Sequence, residues 1–118
     1  MMEEARLGKI EVAPTAIASI AAQAVLECYG VVGMASKSLR HGLAELLHRD
    51  SSRRGVDVRL VDDQIVIDLY VVIEYGTRVS EVAHNIMRSV KFNVEKALGV
   101  PVAQVNVHVQ GLRVSNED

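Results

Sequence analysis

Residues 56–75 read VDVRLVDDQIVIDLYVVIEY, and the reading of this run decides the fold. In its second half Ile65, Ile67, Leu69, Val71 and Ile73 are apolar at every other position, the period that sends alternate side chains to one face of a sheet. In its first half Val56, Val58 and Leu60 alternate with Asp57 and Arg59. Asp62 and Asp63 separate the two arms, so the run predicts a β-hairpin, with a weaker turn signal than Asn-Gly because neither centre is glycine.

On the N-terminal side, Ile10 and Val12 make Lys9–Val12 a candidate short edge strand, stopped by Ala13-Pro14. Proline suits the first turn of a helix, where its missing N–H is not needed. Ile17, Ile20, Ala21, Ala24 and Cys28 then recur at helical spacing, Gly30 is a natural stop, and Val31–Met34 reads as a short apolar crossing. Leu39, Leu43, Leu46 and Leu47 predict a second, weaker helix within 36–55, with Gly42 inside it.

On the C-terminal side, Gly76 and Thr77 form a junction at which Thr77 or Ser80 is expected to cap a helix. That helix carries the stripe Val79, Val82, Ala83, Ile86, Val90, Val94, Ala97 and Leu98, and ends at Gly99-Val100-Pro101. Val105, Val107 and Val109 predict a last strand, parallel to the central one, and Gly111 is expected to bend it. The expected fold class is α+β: a small mixed sheet of three to four strands with its helices on one face, in the order β-α-α-β-β-α-β.

A chain of 118 residues fits one domain, with a core over about 8–112 and loose ends at 1–7 and 115–118. The hydrophobic fraction is 49% but the aromatic fraction only 3%, so aliphatic side chains must fill the core and few rings remain for stacking on bases or sugars. Thirteen Lys and Arg against fifteen Asp and Glu give a net charge of −2, no global pull toward nucleic acid or anionic lipid. One cysteine, Cys28, excludes an internal disulfide. No signal peptide or membrane-spanning run is evident, and a cytoplasmic location is expected.

Four pieces in this order, GKIEVAPTAIASIAAQAV (8–25), YGVVGM (29–34), GVDVRLVDDQIVIDLYVVIEYG (55–76) and VPVAQVNVHVQGL (100–112), resemble the bacterial alkaline shock protein family, also called the envelope stress response family. The resemblance spans about residues 8–112. It implies a small cytoplasmic α+β protein without known catalysis. Its members are associated with envelope stress, some with control of lipid synthesis, and several self-associate or are held at the membrane by a partner protein.

Three constellations are candidates for chemistry or binding. His41, Glu45 and His48 fall on one side of the weak helix, a set that can ligate zinc, although one helix supplies only three ligands and a solvated face is the simpler reading. Lys37, Arg40, Arg49, Arg53 and Arg54 oppose only Glu45 and Asp50, a local positive charge that suits phosphates or lipid headgroups or is a solvated loop. The third is the back of the sheet: Val66, Asp68, Tyr70, Val72 and Glu74, flanked by Asp57, Arg59, Asn106 and His108. Val66, Tyr70 and Val72 are expected to form an apolar centre with a charged rim, the anatomy of an interface.

Nucleophilic catalysis finds no motif: no G-x-S-x-G surrounds a serine, and His84 and His108 have no evident partner in sequence. The expectation is a non-enzymatic interaction or scaffold protein without cofactor, one that forms homo-oligomers and binds a protein partner. The alternative is a small nucleic-acid-binding module using the basic residues of 37–54.

Overall fold

Strand β3, Gln64–Glu74, is bonded to every other strand of the sheet. The computed structural model describes residues 7–8, 10–35 and 55–114. Within them the elements follow as α1 (Pro14–Leu26), β1 (Val31–Met34), β2 (Val56–Val61), β3, α2 (Val79–Leu98) and β4 (Val102–Arg113).

The hairpin forms as its alternation predicts. β2 pairs antiparallel with β3, from Val56↔Leu69 to Val61↔Gln64. Asp62 and Asp63 have φ of 52° and 65°, the pair of left-handed conformations that a type I′ turn requires. Asp bears them better than most residues because its short side chain bonds locally.

β4 returns through α2 and runs parallel to β3, from Ile65↔Val102 to Glu74↔Arg113. Its register slips twice, leaving Ala103 and Gln110 as extra residues on β4. The second slip sets Gly111 opposite Val72 and Leu112 opposite Ile73, which is the bend expected at Gly111.

β4 takes one side of β3, and β2 and β1 share the other. β1 pairs antiparallel with Val71–Ile73, while β2 covers residues 64–69. They meet at Tyr70, whose carbonyl accepts from the N–H of Ala35 at 2.8 Å and whose own N–H donates to the carbonyl of Gly55 at 2.8 Å. Ala35 and Gly55 therefore both bond to one residue of β3. Gly55 has φ +79°, and a Cβ there would lie 2.6 Å from the Ala35 carbonyl and 2.9 Å from that of Tyr70.

Both helices pack on one face of the sheet. Ile67, Leu69, Val71 and Ile73 are fully buried there, against Ile17, Ala18, Ala21, Ala22 and Val25 of α1 and Val82, Ile86, Val90 and Val94 of α2. The alanines let α1 lie close on the sheet. The α2–β4 turn is clamped by Glu95, whose carboxylate accepts from the Val102 N–H at 2.8 Å and from Lys91 Nζ at 2.9 Å. Those bonds, the Val102 one first, hold the Glu95 carboxyl below its ordinary range. Gly99 closes α2 at φ 77°.

The α+β class, the mixed sheet and the one-sided helices are as expected, and three details differ. Ile10–Val12 form no strand, because alternation alone supplies no pairing partner and β3 is already bonded on both sides. The crossing at 31–34 is instead strand β1, since those residues find unpaired backbone at the end of β3. Neither Thr77 nor Ser80 caps α2: its N-cap is Arg78 without a side-chain bond, and the Thr77 hydroxyl donates to the Glu74 carbonyl at 2.7 Å. The helix expected within 36–55 lies outside the described residues apart from Gly55. Among the described residues no helix is long and apolar enough to cross a membrane.

Gly55 generates a prediction about stability. Gly55→Ala must place a side chain in the left-handed region and against two carbonyl oxygens, so it should cost about 2 kcal/mol or more, read as a lowered midpoint in urea. A Gly33→Ala control, at a glycine of β1 with nothing within 4 Å of the new Cβ, should leave the midpoint near that of the parent chain.

Candidate functional site

The pleat of β3 sends Val66, Asp68, Tyr70, Val72 and Glu74 away from the helices. No described element packs over that face. Its centre is nonetheless closed: Val66 is buried, and Asp68, 8% exposed, is the buried charged residue among those described.

Asp68 is buried because neighbouring strands aim four donors at it. Arg59, two residues along β2 from the residue facing Asp68, donates from Nη2 at 2.8 Å and Nε at 3.2 Å to Oδ2. Asn106, directly across on β4, donates from Nδ2 to Oδ1 at 3.0 Å. His108 reaches the same oxygen from Nε2 at 3.1 Å, which selects the tautomer with the proton on that nitrogen. Across from His108 sits Tyr70, and the two rings stack with centroids 4.5 Å apart and planes 12° from parallel. One carboxylate thus ties β2, β3 and β4 together on the side that no described helix covers.

Burial pushes the Asp68 carboxyl up, but the hydrogen bonds from Arg59, His108 and Asn106 and the Arg59 charge outweigh it and hold the group below the ordinary 3.8. Arg59 remains 54% exposed, so water screens its part of the attraction. A carboxylate offers about four acceptor sites, and here four donors take them.

The structure brings together the residues expected on this face. Val66 and Asp68 are buried, Tyr70, Val72 and Glu74 half-buried, and Arg59, Asn106 and His108 surround Asp68. Asp57 lies directly across from Asp68. The centre differs from the expected one: Asp68 is its bonded middle rather than part of a rim, with Val66 and Tyr70 on either side. His108, without evident partner in sequence, is partnered by Asp68 and Tyr70, whereas His84 Nδ1 lies 2.8 Å from the Ser80 carbonyl of its own helix. The signal for this network was the Asp68–Asn106–His108 set, readable only with the β3–β4 register known.

The zinc candidates His41, Glu45 and His48 and the basic residues Lys37, Arg40, Arg49, Arg53 and Arg54 lie outside the described residues. Among those described, no group of three or more His, Cys, Asp or Glu is placed to hold a metal ion. Cys28 is a half-buried free thiol whose Sγ lies 3.4 Å from the Ala24 carbonyl.

A family model for the alkaline shock proteins, described as having a cell envelope-related function, matches residues 2–114. The chain is 46% identical over 112 residues to "Uncharacterized protein YloU" of Bacillus subtilis, spanning 94% of this chain and 93% of that one. It is 41% identical over 112 residues to "Uncharacterized protein Spy1614" of Streptococcus pyogenes serotype M6, again 94% and 93% of the two chains. Among solved structures, a MamM CTD aligns at TM-score 0.48 and 16% identity over 86% of this chain and 95% of that one, a likeness too loose to carry a reading of function.

Asp68 predicts a pH dependence whose sign follows from its lowered pKa. Its contribution is complete above the unfolded value near 3.8 and is lost as pH falls through the lower folded value. Asp68→Asn should therefore be less stable than the parent at neutral pH by about 1–3 kcal/mol, and the gap should narrow below the ordinary carboxyl range. Glu95, also lowered, is common to both proteins and cancels in the difference. Urea denaturation at a series of pH values measures it, and a gap that widens in acid contradicts the assignment.

Proposed function

Because the chain belongs to the alkaline shock protein family, whose function is cell envelope-related, we propose that it is a non-enzymatic interaction protein that self-associates and binds another protein through the open face of its sheet. The observation that carries the proposal is a sheet that the described helices cover on one side, whose other side presents a half-buried tyrosine and valine around the bonded Asp68.

Two physical points support it. Tyr70 is a favoured interface anchor, and its stacking on His108, itself fixed by Asp68, orders the ring before any partner arrives. Ordering in advance lowers the entropy cost of docking. The polar groups around Asp68 are also spent on one another, since the donors there fill its acceptor sites. That favours a preformed docking surface over acid–base chemistry. A protein anchored in the membrane is the partner class the envelope link favours, met by this chain from the cytoplasmic side.

The test is the mass in solution. Tyr70→Asp, and separately Val72→Asp, which leaves the Asp68 network in place, should each weaken self-association by at least about tenfold, because an unpaired buried charge costs more than about 1.4 kcal/mol. Light scattering reads the change, with circular dichroism as the control for folding. An unaltered mass in both variants counts against the open face. Association through this face should also persist as salt is raised, whereas phosphate binding by Lys37, Arg40, Arg49, Arg53 and Arg54 would fall steeply.

A further inference from the structure

Two features of this molecule match each other and do not meet within a single copy. The first is the segment ahead of α1. Ile10 and Val12 alternate with Glu11 as in a strand, yet residues 10–13 join no strand of the described sheet, and Ile10 is 73% exposed and Val12 41%. Ala13, at the end of the segment, has extended backbone, φ −69° and ψ 146°.

The second is the outer edge of β4. This 12-residue strand pairs with β3 on one side, and no described strand lies on the other. Exposed strand edges are normally guarded by charge or proline. The opposite margin of the sheet, β2, carries Asp57 and Arg59. Residues 102–112 contain no Lys, Arg, Asp, Glu or Pro. On the helix side Val107 and Val109 are only half-buried, and on the open side Gln104, Asn106 and His108 present amides and an imidazole.

We propose that residues 10–13 of one copy add as a short strand along the outer edge of β4 in a second copy. The stretch between the two bulges, Gln104–Val109, is regular and long enough to take them. Laid beside it, Ile10 and Val12 fall on the helix side and cover the half-buried valines. Glu11 falls on the open side, beside Gln104, Asn106 and His108 and across β4 from Asp68. Pro14 follows the added strand, where its missing N–H interrupts no ladder bond. The occupant is a second copy because within one copy the segment pairs with no described strand, β4 included. This contact lies in the plane of the sheet and does not rest on docking through the open face, which stays uncovered.

Cysteine pairing tests it. In a Cys28→Ser background, an Ile10→Cys chain is mixed with a Val105→Cys, Val107→Cys or Val109→Cys chain and oxidised mildly. A mixed disulfide is expected in at least one mixture, several-fold above either chain alone, and Ile10→Asp with Val12→Asp in the parent chain should lower the mass seen by light scattering without changing the circular dichroism. Absence of a mixed disulfide in all three mixtures overturns the proposal. So does self-linking of the β4 cysteine chains, which would mean β4 pairing with its own copy. A chain carrying both Ile10→Cys and Val107→Cys that closes on itself at high dilution also overturns it, by placing the segment on its own subunit. Tyr70→Asp should leave the mixed disulfide intact, so this proposal and the open-face reading fail separately.

Discussion

The backbone of β3 is bonded along both edges while its side chains enter two unlike environments, and the rest of the molecule depends on that. Ile67, Leu69, Val71 and Ile73 are fully buried under the helices, so a one-residue slip would move the whole aliphatic set out of the core. The register is therefore fixed by the hydrophobic effect. What stands on the other side, residues 66, 68, 70, 72 and 74, is fixed by the same constraint without contributing to it.

This explains how a charged group comes to be buried on a face no described helix covers. Once the register holds, Asp68 has Asn106 across from it and Arg59 and His108 on the diagonals. Four donors converge on two oxygens. Burying a carboxylate is expensive unless it is paired and bonded, and the lowered pKa says that the bonds outweigh the burial. The network also holds three strands together where the helices do not reach, and through His108 it sets the plane of Tyr70. The candidate interaction face is thus a by-product of the core that acquired its own internal order.

The middle of the sheet carries a second constraint. β1 and β2 share one side of β3 and meet at Tyr70, where Ala35 and Gly55 close the seam on one residue. Gly55 is the point where that closure is tightest. Tyr70 therefore has its backbone in the seam and its ring in the open face, which ties the two regions to one residue.

By itself the sequence determined the hairpin, α1, α2, the parallel return of β4 and the family. The elements rest on local periodicity or punctuation, namely the alternation of Ile65 to Ile73, Pro14, the stripe from Val82 to Val94, and Gly99, whereas the family rests on the resemblance of the four pieces 8–25, 29–34, 55–76 and 100–112. It also named the residues of the open face, because period two needs no knowledge of neighbours. Only the tertiary structure decided that Val31–Met34 is a strand while Ile10–Val12 is not, since strand formation depends on an unpaired edge within reach and four apolar residues cannot show one. It alone decided that Asp68 is the bonded centre of its face. That outcome rests on partners 9, 38 and 40 residues away in sequence, brought opposite by a register that includes two bulges, and pairing at such distances leaves no trace in local pattern.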